Sequence, residues 1–315
     1  MTYEKGILGI PKQFEYKMEI IGKDQIRPFK KVIILGMGGS RLAGDILNMA
    51  KPELDIHIHS DYDLPLLDGS ILRDALIIAN SYSGNTAETI SGAKIAIEQG
   101  FNLAVITTGG ELLTLAKEKQ IPHVTLPHSE LPPRMMLGHD LIAMAGLIGF
   151  DARDLEACRS IDANTLKPTG TQVARQIGSA IPLIYTSERL NELGYIWKII
   201  LNETAKMPAF HNRFPEADHN EIAGFQGDWA SGFHCIFLRD ELDVRIGQRM
   251  DLTAELFRAH DILVATVPLE GPSLVRQIIQ SVIIAHWTAL ELATTNNVEP
   301  LAVLEIEDFK KKLQS

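Results

Sequence analysis

The sequence predicts an α/β protein of two subdomains, each a parallel sheet flanked by helices on both faces. Three observations carry that expectation. Short β-branched apolar runs alternate with helix-length amphipathic segments along the first half of the chain. The alternation stops at 151–170, a stretch with several charges, Pro168 and little periodicity, and then restarts. The length of 315 residues also exceeds the roughly 150 of a single typical domain. The expected domains are therefore 1–150 and 165–315.

After an amphipathic N-terminal segment, residues 32–35 read as a buried strand feeding a glycine-rich turn and then a helix. Strands are predicted at 54–59 and 75–79, the latter running into a hydroxyl-rich turn and another helix. Residues 103–107 and 123–126 continue the set, with helices at 111–119 and from about 135 to 149. In the second half the expected strands are 181–185, 234–238 and 262–267, with helices at 248–259 and 273–294. Ser187 is expected to cap a helix that carries Leu190, Leu193, Trp197 and Ile200 on one face. Residues 203–227 are polar, hold Pro208 and Pro215, and read as one long loop. Loops of that length are usually functional.

Charge and composition narrow the chemistry. Forty acidic against thirty basic side chains give a net charge of −10, which argues against nucleic acid or an anionic membrane as partner. Hydrophobic residues at 45% and charged residues at 22% fit an ordinary globular chain. Cys158 and Cys235 form neither a disulfide framework nor a metal spacing, so a reducing cytoplasm is the expected location. The N-terminus lacks the apolar core of a signal peptide, and the apolar stretches at 141–150 and 282–292 are too short or too polar to span a bilayer. An anionic ligand would have to be held by local N–H groups and a few cations, against the field of the whole chain.

Two turns suit that task. Gly36-Met37-Gly38-Gly39-Ser40 follows a strand and opens a helix, a geometry that presents backbone N–H groups to an anion. Arg41 stands where a dinucleotide fingerprint would need a third glycine, and Asp45 where a Walker A loop would need lysine. The turn reads as an anion cradle, with a simple tight strand–helix connection as the alternative. The second turn, Asn80-Ser81-Tyr82-Ser83-Gly84-Asn85-Thr86, gathers the hydroxyls of Ser81, Ser83 and Thr86 around a glycine at a helix start. Hydroxyls and helix N–H groups can hold a phosphate monoester without lysine; Thr86 and Thr89 can equally act as helix caps. Gly38, Gly39, Ser40, Ser81, Ser83 and Thr86 are the candidate substrate-binding residues.

ILGMGGSRLAGD followed by SYSGNTAET resembles the sugar isomerase (SIS) domain family. PPRMMLG at 132–138 and NETAKMPAFHNRFPEADHNEIAGF narrow the resemblance to the bifunctional phosphoglucose/phosphomannose isomerases of archaea and bacteria. It covers nearly the whole chain and implies two SIS-like halves. It also implies metal-independent isomerisation of glucose 6-phosphate, and of mannose 6-phosphate, with fructose 6-phosphate through a cis-enediol. Glu203 matches the family's base. Its spacing from Ile196 and Ile200 carries it along the apolar face near a helix end, where a partly buried carboxylate is a better proton acceptor.

His219, in Asp218-His219-Asn220-Glu221, matches the histidine that assists ring opening from the partner subunit of a homodimer. Arg134 follows two prolines that stiffen its backbone, so its guanidinium is expected to be held in place, where a cation would stabilise a developing enediolate. The alternative is a surface arginine at the start of the next helix. Lys310 is the best positional match to an active-site lysine, with Lys311 and Lys312 beside it. The family carries a threonine upstream of that lysine, but 298–303 has none and Leu301 stands at a matching position. Arg41 is a second departure, where the family has a small residue.

No metal or organic cofactor is expected, because His57 with His59, and His211 with His219, lack a third ligand at suitable spacing. The alternatives are a non-catalytic sugar-phosphate-binding regulator and an isomerase of another phosphosugar. No helix-turn-helix extension supports the regulator, and a Glu203–His219 pair would be idle in one.

Overall fold

The computed structural model describes residues 2–313, with the side chains of 310, 311 and 313 outside the description. The chain opens on a short helix, α1 (Tyr3–Gly9). Contacts divide the molecule into two compact units, one of Gly9–Ile161 with Ser273–Arg276, the other of Asp162–Pro272 with the segments up to Leu8 and from Gln277. Most of α1 therefore groups with the C-terminal unit, although the sequence reading placed it in the 1–150 domain. Its anchor is chemical: the buried Tyr3 hydroxyl lies 2.8 Å from Thr204 Oγ1 and 2.7 Å from His286 Nδ1.

In the first unit β1 (Lys31–Leu35), β2 (Ile56–His59), β3 (Ala75–Asn80), β4 (Asn102–Thr107) and β5 (His123–Thr125) form one parallel sheet in the order β2-β1-β3-β4-β5. Helices α2 (Leu42–Ala50), α3 (Gly69–Asp74), α4 (Ala87–Glu98), α5 (Gly110–Glu118), α6 (Leu137–Ile148) and α7 (Arg153–Ala157) accompany it. Every residue of β3 and β4 is buried, as strands are when helices cover both faces of a parallel sheet. The short α3 was not legible as a helix; Asp68 caps it by accepting from the Ser70 N–H at 2.8 Å.

From β1 the chain goes to β2 on one side, then returns to β3 on the other. At such a switch point the connections leaving neighbouring strands diverge and open a crevice outside their carboxyl ends. The two turns singled out in the sequence follow β1 and β3.

The second unit repeats the plan with α8 (Lys167–Ile177), β6 (Ile181–Ser187), α9 (Asn191–Ile200), β7 (Phe210–Phe214), β8 (Phe233–Arg239), α10 (Val244–Ala259), β9 (Leu263–Pro268), α11 (Leu274–Thr295) and α12 (Leu304–Leu313). Its sheet is parallel in the order β7-β6-β8-β9. The expected long loop after Glu203 is in fact interrupted by β7, an edge strand. His211, Asn212 and Arg213 disguise it, because an edge strand tolerates polar residues that a central one does not. Its last residue, Phe214, is fully buried against Tyr185 and Phe237. Part of the stretch read as a domain boundary is helical, in α7 and the start of α8. No helix among the described residues is long and apolar enough to cross a membrane.

Candidate active site

At the switch point of the first unit, β1 leads through Gly36 and Met37 into a single 3₁₀ turn, Gly38–Arg41, and then α2. Gly39 is required by close approach: a Cβ there would meet the backbone nitrogen of Arg134 at 2.8 Å. That contact brings the turn Pro133–Met135 against the glycine-rich turn. Arg134 is not a surface residue; its side chain is buried. Arg41 folds back along its own helix, donating from Nε and Nη2 to the buried Asp45 carboxylate at 2.9 Å each. The bulk that broke the dinucleotide pattern thus neutralises an internal charge.

The turn after β3 is braced from within. Ser81 is buried, its Oγ lies 2.9 Å from Thr86 Oγ1, and it accepts the Gly84 N–H at 3.1 Å. Gly84 has φ +71°, and a Cβ there would lie 1.8 Å from the Gly109 carbonyl oxygen. Thr86 holds the N-cap position of α4, yet its hydroxyl turns to Ser81 and makes no capping bond, so the side chain leaves the helix N–H groups to a ligand. Ser83 is exposed. The Tyr82 N–H donates to Ser40 Oγ at 3.0 Å, tying the two turns together.

The corresponding turns of the second unit carry carboxylates. Ser187, expected to cap, instead donates from Oγ to Asp240 Oδ2 at 2.6 Å, and Asp240 Oδ1 accepts the Leu242 N–H. Asp243 caps α10 through the Arg245 N–H at 2.9 Å. In this unit the hydroxyl that ends β6 is thus taken up by a carboxylate, whereas Ser81 after β3 pairs with another hydroxyl.

Glu203 lies in the second unit, on a π turn, Leu201–Ala205, that continues α9. The wider turn breaks the spacing expected from Ile196 and Ile200, leaving Leu201, Thr204 and Ala205 buried and Glu203 partly exposed. Glu203 lines a cleft of about 420 Å³ with Asn202, Lys206, Met207, Val303 and Ile306. Lys206, which the sequence reading missed, ends the turn at φ +55°. Its ammonium donates to the carbonyl oxygens of Glu203 and Ala302, joining the π turn to the segment before α12. No local pattern marks it: the bond to Ala302 spans ninety-six residues.

His219 is exposed at the end of a 3₁₀ turn, Glu216–His219, and does not line that cleft. Its neighbours are pinned. Asp218 accepts from Arg249 Nη1 at 2.8 Å and Thr253 Oγ1 at 3.0 Å. Glu221 accepts from the Tyr185 hydroxyl at 2.6 Å and from Asn212 Nδ2. Burial pushes the Tyr185 phenol well up, which keeps it a donor. A held turn thus presents the imidazole outward. Lys310 falls within α12, but its side chain lies outside the described residues. Among the described residues, no three His, Cys, Asp or Glu side chains gather into a metal-binding group.

Residues 167–313 match the family described as the bacterial phospho-glucose isomerase C-terminal SIS domain. The chain is 31% identical to a bifunctional phosphoglucose/phosphomannose isomerase of Aquifex aeolicus over 98% of both chains. A protein of the same description from Thermoplasma acidophilum is 30% identical over 92% of this chain and 94% of that one. Among solved structures, a hypothetical protein of Thermus thermophilus superposes with a TM-score of 0.77 at 16% identity, covering 99% of this chain and 90% of the other.

Proposed function

The chain belongs to the bifunctional phosphoglucose/phosphomannose isomerase family, and from that premise we propose how it interconverts the aldose and ketose forms of a hexose 6-phosphate. Glucose 6-phosphate and fructose 6-phosphate are the substrate pair. Mannose 6-phosphate, the C2 epimer of glucose 6-phosphate, reaches the same enediol. Glu203 takes the C2 proton of the open aldose, the C–H electrons form the C1–C2 double bond, and the C1 carbonyl electrons move onto O1 to give a cis-enediolate. The O2 hydrogen passes to O1, the C2 carbonyl forms, and the double-bond electrons take the proton back from Glu203 at C1 to give the ketose.

The observation that carries this reading is the placement of Glu203, a carboxylate at the rim of an open cleft on a turn locked by Lys206. The phosphate is held by the Gly38-Gly39-Ser40 turn, the hydroxyls of Ser83 and Thr86 and the start of α4, with Ser81 shaping the loop. Arg134 meets the charge of the enediolate. His219 moves a proton at the ring oxygen, and Lys310 assists there. The route uses neither metal nor organic cofactor. The exposure of His219, which does not line the cleft with Glu203, supports its serving a second copy in a two-fold homodimer whose two sites are built alike.

A coupled assay with fructose 6-phosphate, run with and without chelator, tests the activity. Glu203→Gln should lower turnover about 10²–10⁴-fold, the usual weight of a general base. Near-normal turnover would remove Glu203 from the reaction. Refolding inactive Glu203→Gln together with inactive His219→Ala tests the shared site. One site of each mixed dimer would then collect both lesions and the other neither, so roughly a quarter of all sites should regain activity. A mixture that stays inactive while mixed dimers form refutes sharing.

A further inference from the structure

Asn80 ends β3, immediately before the hydroxyl loop, and is buried. Its amide nitrogen donates to the Ser40 carbonyl at 2.6 Å and to both carboxyl oxygens of Asp140, at 2.9 and 2.8 Å. An amide has two hydrogens, so one serves Ser40 and the Asp140 oxygens share the other. Asp140 sits in the first turn of α6, just after the turn that carries Arg134, and is itself buried. Asn80 Oδ1 is buried with no hydrogen-bond partner among the described residues. The acceptors around Nδ2 therefore set the amide's orientation. Flipped, it would press an oxygen against the Ser40 carbonyl and the Asp140 carboxyl. From Ser40 the connection returns to the hydroxyl loop through the Tyr82 N–H on Ser40 Oγ. A buried carboxyl is a costly way to fill space, and here both of its oxygens are spent on one amide hydrogen.

We propose that Asp140 is a positioning residue of the phosphate site: acting through Asn80, it holds the Gly38–Arg41 turn against the 81–86 loop. The proposal rests on the reading of these two turns as that site, and the experiment separates the two. Phosphate affinity is measured by calorimetry with inorganic phosphate, alongside kcat and KM for fructose 6-phosphate and thermal melting of each variant.

Asp140→Leu removes the acceptor; phosphate affinity should fall about tenfold and KM rise in step, with kcat inside about threefold, as for one lost charge-assisted hydrogen bond. Asp140→Asn still offers an oxygen to Asn80 and should hold phosphate within about threefold of the wild type. Should the leucine variant not fold, the exchange of Asn80→Asp with Asp140→Asn keeps a buried amide–carboxyl pair but leaves position 80 no hydrogen for Ser40. It should still show a cooperative melt, at a lowered temperature because an acceptor now faces the Ser40 carbonyl, and bind phosphate about tenfold more weakly.

Wild-type phosphate affinity in either the leucine variant or the exchange overturns the proposal, and a change in melting alone marks Asp140 as merely structural. The control is Ser83→Ala with Thr86→Ala. If that pair leaves phosphate affinity unchanged, the phosphate-site reading itself has failed and the proposal falls with it. If the pair weakens binding and Asp140→Leu does not, only the positioning role is wrong.

Discussion

Individual side chains in the two candidate regions differ in what they have to spare. Ser81 spends its hydroxyl on Thr86 and on the Gly84 N–H, whereas Ser83 stands exposed. Replacing Ser83 and Thr86 together by alanine should weaken binding of a phosphorylated inhibitor. Each hydrogen bond lost to a charged oxygen is worth about 1.5–3 kcal/mol; unchanged affinity in calorimetry would make the loop structural. Lys206 offers a different test. It clamps the carbonyl of Glu203 to that of Ala302, so Lys206→Met should leave Glu203 present but loosely aimed. Turnover should fall roughly tenfold, about 1.4 kcal/mol of barrier, with little change in KM. Wild-type kcat would show that the clamp is dispensable.

Secondary-structure elements set those residues in place by their ends. The 81–86 loop reaches α4 only by bringing Gly84 against the Gly109 carbonyl, in a backbone conformation that L side chains avoid. Gly84→Ala should therefore destabilise the first unit by more than about 3 kcal/mol, read as a lost or strongly lowered melting transition. A variant with wild-type melting would mean that the loop tolerates a shift. The segment entering α12 supplies Val303 to the Glu203 cleft and the Ala302 carbonyl to Lys206. Leu301 lies beside them. Leu301→Thr should raise the share of mannose 6-phosphate formed from fructose 6-phosphate, measured by separate coupled assays for the two aldoses. An unchanged ratio would put epimer choice elsewhere.

Across the whole molecule, two buried groups make stability depend on pH in opposite senses. Burial pushes His234 down to about 4, with neither ring nitrogen hydrogen-bonded among the described residues. The unfolded chain binds that proton first as pH falls from about 6.5, so stability is lost between about 6.5 and 4, by up to roughly 3 kcal/mol. Burial pushes Asp140 up to about 7, against the lowering effect of Asn80. Its folded value lies above the unfolded one, so its contribution is present below about 4 and is lost as pH rises through about 7. His234→Phe should flatten the acid limb of a melting-temperature profile, and Asp140→Asn the limb between pH 4 and 7. Parallel profiles for variant and wild type would show that neither group titrates on unfolding.

The strands at the heart of both sheets and the two turns that follow β1 and β3 could be read from the chain alone. Their signals are local: β-branched runs that must be buried on both faces, and glycines and hydroxyls placed where a strand meets a helix. Glu203 and His219 were singled out through motif resemblance alone, since their own surroundings in sequence are ordinary polar loop and helix end. Other features depend on partners far along the chain. β7 exists because β6 offers an edge; Arg134 is buried in a turn packed against Gly39; the π turn shifts Glu203 partly out of the apolar stripe. The second unit has the same strand order around β6 as the first has around β1, yet there the hydroxyl of Ser187 is bound by Asp240, fifty-three residues away. Turn chemistry and hydrophobic period act over a few residues and are written in order. Which side chains pair at the ends of the strands is settled by hydrogen bonds that form only after the strands have been brought together.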